Sequence, residues 1–328
     1  MAKGLNMKQY SKILGTGSYL PPRVMSNQDF EKMIETSDEW IVSRSGIRNR
    51  HFVDHTEGLV DIIEVAARRA IEASGISISD IDGIIVGTTS GDYVFPSAAC
   101  DLQARLGITN TCAAFDIQAA CSGFIYALSV ADKFMQAGAM RYVLVIGGEV
   151  ISNYINWEDR TTSVLFGDGA GAVVLGLSDE AGILSTHIHA DGRYRDLLYA
   201  KHNWKETGKT ISRPFIVMEG KEVFKVAVNT LNDMVEEALV ANNLEKSDID
   251  WLVPHQANLR IIAATAKKLD LPMERVIVTV EEQGNTSAGS IPLALDEGVR
   301  DGRIKRGELL LLEAFGGGFT WGSALIRY

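Results

Sequence analysis

Cys121 lies in the string AACSGF, Ala119 to Phe124, with small residues on both sides. Beyond it, Phe124, Ile125, Leu128, Ala131 and Met135 recur at helical spacing up to Gly138, which predicts a long buried helix with Cys121 at its start. The partial positive charge of a helix N-terminus favours thiolate over thiol. Small neighbours leave room for an acyl group on the sulfur, so the site suits a covalent nucleophile. Cys100 and Cys112 lack such surroundings and are expected to be small buried apolar residues.

Three further strings suit the same chemistry. In WLVPHQANLR, Trp251 to Arg260, Pro254 stops an apolar run, which puts His255 where a strand ends and a helix begins. In open α/β sheets that edge is where ligands bind. EEQGNTSAGSIP, Glu281 to Pro292, holds Asn285 in a polar turn after an apolar run at 276–280. EAFGGGFTWG, Glu313 to Gly322, has three glycines after a strand, which let a backbone amide point into a cavity as an oxyanion hole requires. Taken singly, the last three have plainer readings: a structural histidine, a turn asparagine and a glycine-rich bend.

The elements that must position these residues alternate in type. Apolar runs at 84–86, 142–146, 172–175, 276–280 and 309–312 read as buried strands. Stretches at 62–73, 122–137, 222–241 and 258–269 carry helix-spaced apolar residues, which together with the strands argues a layered α/β protein. An internal repeat is visible. Ser79-Asp80-Ile81-Asp82 and Ser247-Asp248-Ile249-Asp250 each precede an apolar strand, and 141–148 and 308–316 each run an apolar strand into glycines. Two similar halves are expected, 1–180 carrying Cys121 and 181–328 carrying His255 and Asn285.

The 328 residues, 46% hydrophobic, are enough for a large core. A net charge of −10 argues against general binding to nucleic acid or an anionic membrane. Three cysteines without a CxxC pair make a poor disulfide framework and fit a reducing cytoplasm. The start, MAKGLNMKQYSKILGTG, shows no apolar signal core, and the longest uncharged run, between Asp116 and Asp132, is too short to span a bilayer. His187 and His189 share a strand face and could chelate zinc, but only Asp191 stands near as a third ligand, so no metal is expected. GTGSYLPP, Gly15 to Pro22, lacks the full dinucleotide fingerprint, and its prolines spoil the helix that should follow.

Together the four strings resemble the thiolase-fold condensing enzymes, and within them the β-ketoacyl-acyl-carrier-protein synthase III family. The match also takes in TSDEWIVSRSGIR from Thr36, FPSAAC from Phe95, FGDGAGAVVL from Phe166 and STHIHADG from Ser185. The resemblance implies a layered α-β-α-β-α body and a Cys121-His255-Asn285 triad. It further implies an oxyanion hole from the amides of Cys121 and Gly317, a homodimer, and no cofactor beyond a CoA thioester used as substrate. The implied reaction joins an acyl-CoA primer to malonyl-acyl-carrier protein, with loss of CO2. Thiolases would need a second cysteine late in the chain, and none follows Cys121. A polyketide-type synthase or a silent carrier-protein-binding module remain the other readings.

On matching positions the resemblance assigns CoA contacts to Thr36, Trp40, Arg44, Arg160, Gly220, Phe224, Ala257 and Asn258, with Trp40 and Arg160 sandwiching the adenine. Trp40 could equally be a core aromatic. Lys221 stands where the family often has Asn, and Phe95 matches a position at the acyl pocket. Arg260, Lys267 and Lys268 share one helix face. With Lys225 and the segment Gln256, Ala257, Asn258, Leu259, they form a candidate docking patch for the acidic carrier protein, or simply a solvated face.

Overall fold

The structure, a computed structural model, describes residues 9–201 and 214–328. Part of the N-terminal stretch read above for a signal core, residues 1–8, lies outside the described residues. The first part of the chain runs β1 (Tyr10–Tyr19), β2 (Arg23–Ser26), α1 (Asn27–Glu31), α2 (Asp38–Ser45), β3 (Asn49–Phe52) and α3 (Leu59–Ser74). It continues through β4 (Gly83–Gly87), α4 (Ala98–Leu106), β5 (Ala113–Ile117), α5 (Gly123–Gln136), β6 (Tyr142–Glu149) and β7 (Gly169–Ser178). The second part holds β8 (Ile183–Ala190), β9 (Leu198–Ala200), β10 (Ile216–Met218), α6 (Gly220–Asn242), β11 (Trp251–Pro254) and α7 (Leu259–Lys268). It ends with α8 (Val280–Gln283), α9 (Ser290–Arg300), β12 (Leu309–Gly316) and β13 (Thr320–Arg327).

Two mixed sheets dominate, ordered β1-β7-β6-β4-β5 and β11-β12-β13-β8. In the first, β4 is parallel to β5 and β6; in the second, β11 is parallel to β12. The helices α5 and α9 fill the space between the sheets. α5 is buried almost all round, at Phe124, Ile125, Ala127, Leu128, Ala131 and Met135, as a helix packed on both faces must be. These side chains share one apolar cluster with Val145 and Val173 of the first sheet, Ile291 and Leu295 of α9, and Leu312 and Ala324 of the second sheet. Each contributes about 1.5–3 kcal/mol by leaving water. α3 and α4 cover the outer face of the first sheet, and α6 and α7 that of the second. The result is the expected α-β-α-β-α layering.

The glycines of Gly15 to Pro22 lie in β1. A Cβ on Gly15 would come 2.3 Å from Ser74 N, and one on Gly17 2.3 Å from Ala70 N, so these glycines let α3 press directly onto the strand. They serve helix-sheet contact, not phosphate binding.

Two expectations fail. The run 276–280 is not a strand: Val276 makes a single bridge to Leu252, and Val280 already begins α8. The carboxamide of Gln256 takes the place of a ladder, donating to Ile277 O and accepting from the amides of Thr279 and Val280. Cys100 is exposed on the outer side of α4, its thiol donating to Ala114 O, and Cys112 is half-buried, so neither is the buried residue expected.

Candidate active site

A cavity of about 580 Å³ opens between the two parts of the chain, lined by Cys121, His255, Asn285 and Gly317 together. That size suits a drug-sized ligand or a thioester arm. Cys121 sits in a tight turn, 120–122, just ahead of α5. Ala120 has φ of +46°, a left-handed conformation that L-residues rarely adopt and that recurs at functional sites. The turn is stapled to β13: Thr320 Oγ1 donates to Ala119 O, and Ser122 Oγ donates to Thr320 O. Gly316, at the end of β12, lies so close that a Cβ there would stand 2.7 Å from Cys121 N. The cysteine amide and the glycine segment are thereby held side by side.

The thiol is buried. Burial pushes it up to about 11, with the Glu149 charge adding and a hydrogen bond from Ser287 opposing. That rise corresponds to roughly 3 kcal/mol, whereas a helix end typically returns about 0.3–1 kcal/mol. Desolvation therefore outweighs the helix effect expected from sequence.

His255 follows β11, its backbone N–H donating to Glu313 O on the parallel strand β12. Its Nδ1 lies 2.6 Å from Ser290 Oγ at the start of α9, which fixes the ring. Burial pushes the imidazole down to about 3, so it stays neutral at ordinary pH. Asn285 is anchored by its own backbone, donating to Leu165 O and accepting from Gly167 N. Its Oδ1 accepts from Ser287 N at 2.8 Å, which turns Nδ2 toward the cavity.

Two buried carboxyls frame the site, and the sequence reading overlooked both. Glu149 ends β6 and is pushed up to about 7 by burial. Glu313 lines the cavity with neither carboxyl oxygen hydrogen-bonded to protein, and burial pushes it up to about 8. An acidic residue closing an apolar strand was the available signal in both cases. Ser287 and Ser290 lay within the quoted string 281–292 but were not singled out.

The remaining predicted contacts divide. Gly220, Phe224, Ala257 and Asn258 line the same cavity. Asn258 is also the N-cap of α7, accepting from Arg260 N and donating to Arg44 O, so its carboxamide is already committed. Trp40, Arg44 and Arg160 cluster outside the cavity wall, with the guanidinium carbons 4.5 and 5.2 Å from the Trp40 ring. Thr36 lies just before α2, half-buried, its hydroxyl without a hydrogen-bond partner. Lys221 is exposed at the start of α6. Phe95 is 83% exposed and does not reach the cavity of its own chain.

In the docking patch, Gln256 is fully buried and serves the 277–280 segment, so it cannot meet a partner. Leu259 packs on Gly46 at the end of α2. Lys268 pairs with Glu236 at 3.2 Å. Arg260, Lys225 and Lys267 are exposed, and Arg260 stacks over Phe224 at the cavity rim. His187 and His189 both face Glu237 of α6, at 3.5 and 2.9 Å, and Asp191 instead pairs with Arg193. No group of three metal-ligating side chains is found among the described residues. No helix among them is long and apolar enough to cross a membrane.

Two sheets enclosing a shared helix layer, with a cysteine from one side meeting a histidine from the other, define a thiolase-fold protein. Solved structures agree. The chain superposes on 3-oxoacyl-[acyl-carrier-protein] synthase III from Aquifex aeolicus with a TM-score of 0.91 at 45% identity, covering 97% of this chain and 100% of that one. The corresponding protein from Thermus thermophilus gives 0.92 at 42%, covering 97% and 99%. Family models described as 3-Oxoacyl-[acyl-carrier-protein (ACP)] synthase III and its C-terminal part match residues 115–192 and 239–328. A protein of Alkalilimnicola ehrlichii named Beta-ketoacyl-[acyl-carrier-protein] synthase III is 62% identical, over 97% of this chain and 99% of its own. The chain belongs to the 3-oxoacyl-[acyl-carrier-protein] synthase III family.

Proposed function

We propose that the chain condenses a short acyl-CoA, such as acetyl-CoA, with malonyl-acyl-carrier protein, giving acetoacetyl-acyl-carrier protein, CO2 and CoA as the opening step of fatty acid synthesis. The observation that carries this reading is the convergence of Cys121, His255, Asn285 and Gly317 on one cavity.

In the first half-reaction the Cys121 sulfur attacks the thioester carbonyl and CoA leaves as its thiolate. The tetrahedral oxyanion is held by the amides of Cys121 and Gly317. In the second, malonyl thioester loses CO2, and its electron pair becomes an enolate whose oxygen needs donors. Neutral His255 and Asn285 supply them. Ser290 donating to Nδ1 leaves the ring proton on Nε2, and Nδ2 of Asn285 is the second donor. The enolate carbon attacks the acyl-cysteine and expels the Cys121 thiolate. CO2 loss supplies the carbanion, so turnover is expected to persist in EDTA.

CoA is proposed to enter past Phe224 and Ala257, its adenine resting on Trp40 after Arg160 swings aside. Arg260, Lys225 and Lys267 would meet the acidic carrier protein beside that entrance. The halves are proposed to divide near residue 180, in the turn between β7 and β8. The chain is also proposed to work in the cytoplasm as a homodimer. Supporting the dimer, β5 is an edge strand of its sheet among the described residues, and Tyr93, Val94 and Phe95 are 63%, 88% and 83% exposed. Phe95 would then reach the acyl pocket of the partner.

The test is incubation with labelled acetyl-CoA, followed by mass measurement of the Cys121 peptide. Label on the wild type and none on Cys121→Ala is expected; no label on either overturns the reading. A panel of acetyl-, isobutyryl- and longer acyl-CoAs with malonyl-carrier protein then defines the primer.

A further inference from the structure

We propose that Arg195 holds the phosphate of the phosphopantetheine arm that CoA and the carrier protein share, and so anchors the outer end of a thioester whose carbonyl lies at Cys121. The proposal deepens the condensation reading and rests on it for the identity of the thioester.

Among the described residues lining the cavity, Arg195 alone carries a positive charge; most of the wall is apolar, from Ile151 and Leu165 to Phe224 and Ile261. Arg195 lies between β8 and β9, just after a short turn at 192–194. Its amide donates to Gly192 O, and Leu197 N donates to Tyr194 O. The Tyr194 ring stacks on Phe319 with centroids 5.3 Å apart, and Leu197 O accepts from Glu219 N just ahead of α6. The backbone on both sides of Arg195 is thereby fixed, while its side chain stands 77% exposed. Leu198, three residues on, touches the proposed oxyanion hole: a Cβ on Gly317 would lie 3.1 Å from Leu198 O. Three residues of chain span at most about 10 Å, so a charge in water at the mouth is tied to the reacting end of the cavity.

The two thioesters have one charged group in common. In each, a chain of amides and hydrocarbon separates the reacting carbonyl from a phosphate, and that phosphate must stay near water because burying it is costly. The apolar wall suits the chain, and the cation stands where the chain leaves it. The guanidinium fork matches two phosphate oxygens at once. Its present partner competes weakly: Asp196 is 3.4 Å away and 79% exposed, and such surface pairs contribute little. Exposed Glu219 and Glu222 at the start of α6 oppose an anion, whereas exposed Lys221 between them favours it. Arg260 stacks over Phe224 but is not part of the cavity wall, which separates its docking role from that of Arg195.

Calorimetric titration of the full chain with phosphopantetheine and with pantetheine tests this without turnover. Failure here is therefore distinct from failure of Cys121 to take up label. The wild type should bind the phosphorylated ligand about fivefold more tightly, as one solvent-exposed charge-assisted contact provides. Arg195→Ala should abolish that preference and leave pantetheine affinity unchanged, which loss of a merely structural residue would not do. Arg195→Lys should keep part of the preference, as a point charge without the fork. CoA and the phosphopantetheine-bearing carrier protein should weaken by the same factor in Arg195→Ala. Loss confined to CoA would move the contact to the nucleotide phosphates, and loss confined to the carrier protein would move it to that protein's acidic surface; either overturns the proposal. Equal wild-type affinity for the two small ligands, or parallel loss of both in Arg195→Ala, overturns it as well.

Discussion

Gly316→Ala adds one methyl group to the most crowded point of the site. Its Cβ would lie 2.7 Å from Cys121 N and 3.1 Å from Cys121 Cβ, where ordinary contact begins at 3.4 Å. About 0.7 Å of separation must therefore be found. Strand β12 is a poor source of it, because it is paired with β11 up to Glu313 and with β13 out to Gly316 itself. The 120–122 turn must move instead, and it carries both the sulfur and one amide of the proposed oxyanion hole. Overpacking of this kind costs about 1–3 kcal/mol, enough to lower Tm by a few degrees in a chain of this size. The larger effect should fall on chemistry. Misplacing reacting groups by most of an ångström costs about 10²-fold, comparable to losing one oxyanion donor. The assay is rapid-quench acylation by acetyl-CoA, with acyl-enzyme read by mass, alongside thermal melting. A variant that melts early yet acylates at the wild-type rate would refute the reasoning, since the strain would then have been absorbed away from the nucleophile.

Asn285→Ala should slow malonyl decarboxylation by about 10²–10³, the usual loss for one oxyanion donor, while acetyl loading measured by radiolabel stays within a few-fold. Arg260→Glu should weaken use of malonyl-carrier protein and spare acetyl loading from CoA; equal loss of both half-reactions would count against docking at that face. Glu313 gives a pH signature. Its folded value of about 8 exceeds the unfolded 4.5, so the folded state binds the extra proton, and that stability is full below 4.5 and lost as pH rises to 8. The loss is on the order of 4–5 kcal/mol at most, and Glu313→Gln should flatten Tm between pH 5 and 9. Val94→Asp, in the exposed 93–95 segment, should shift the sedimentation of the proposed dimer toward the monomer.

The sequence by itself determined the layered fold and three corners of the site. Helical spacing after Cys121, the proline that stops the strand before His255 and the glycines after Leu312 are local patterns, and local patterns survive without knowledge of the neighbours. It also marked Phe224 and Ala257, through the family strings. The tertiary structure alone decided whatever depends on burial. Val276 to Val280 has the composition of a strand, yet the Gln256 carboxamide, 20 residues earlier, takes up its backbone groups. Lys268 looked free on its helix face but meets Glu236 from α6. The state of the sulfur was likewise beyond the sequence. A helix end is legible in one segment, but the desolvation that outweighs it, the Ser287 hydroxyl that opposes it and the Glu149 charge that adds to it come from strands and turns distant in the chain.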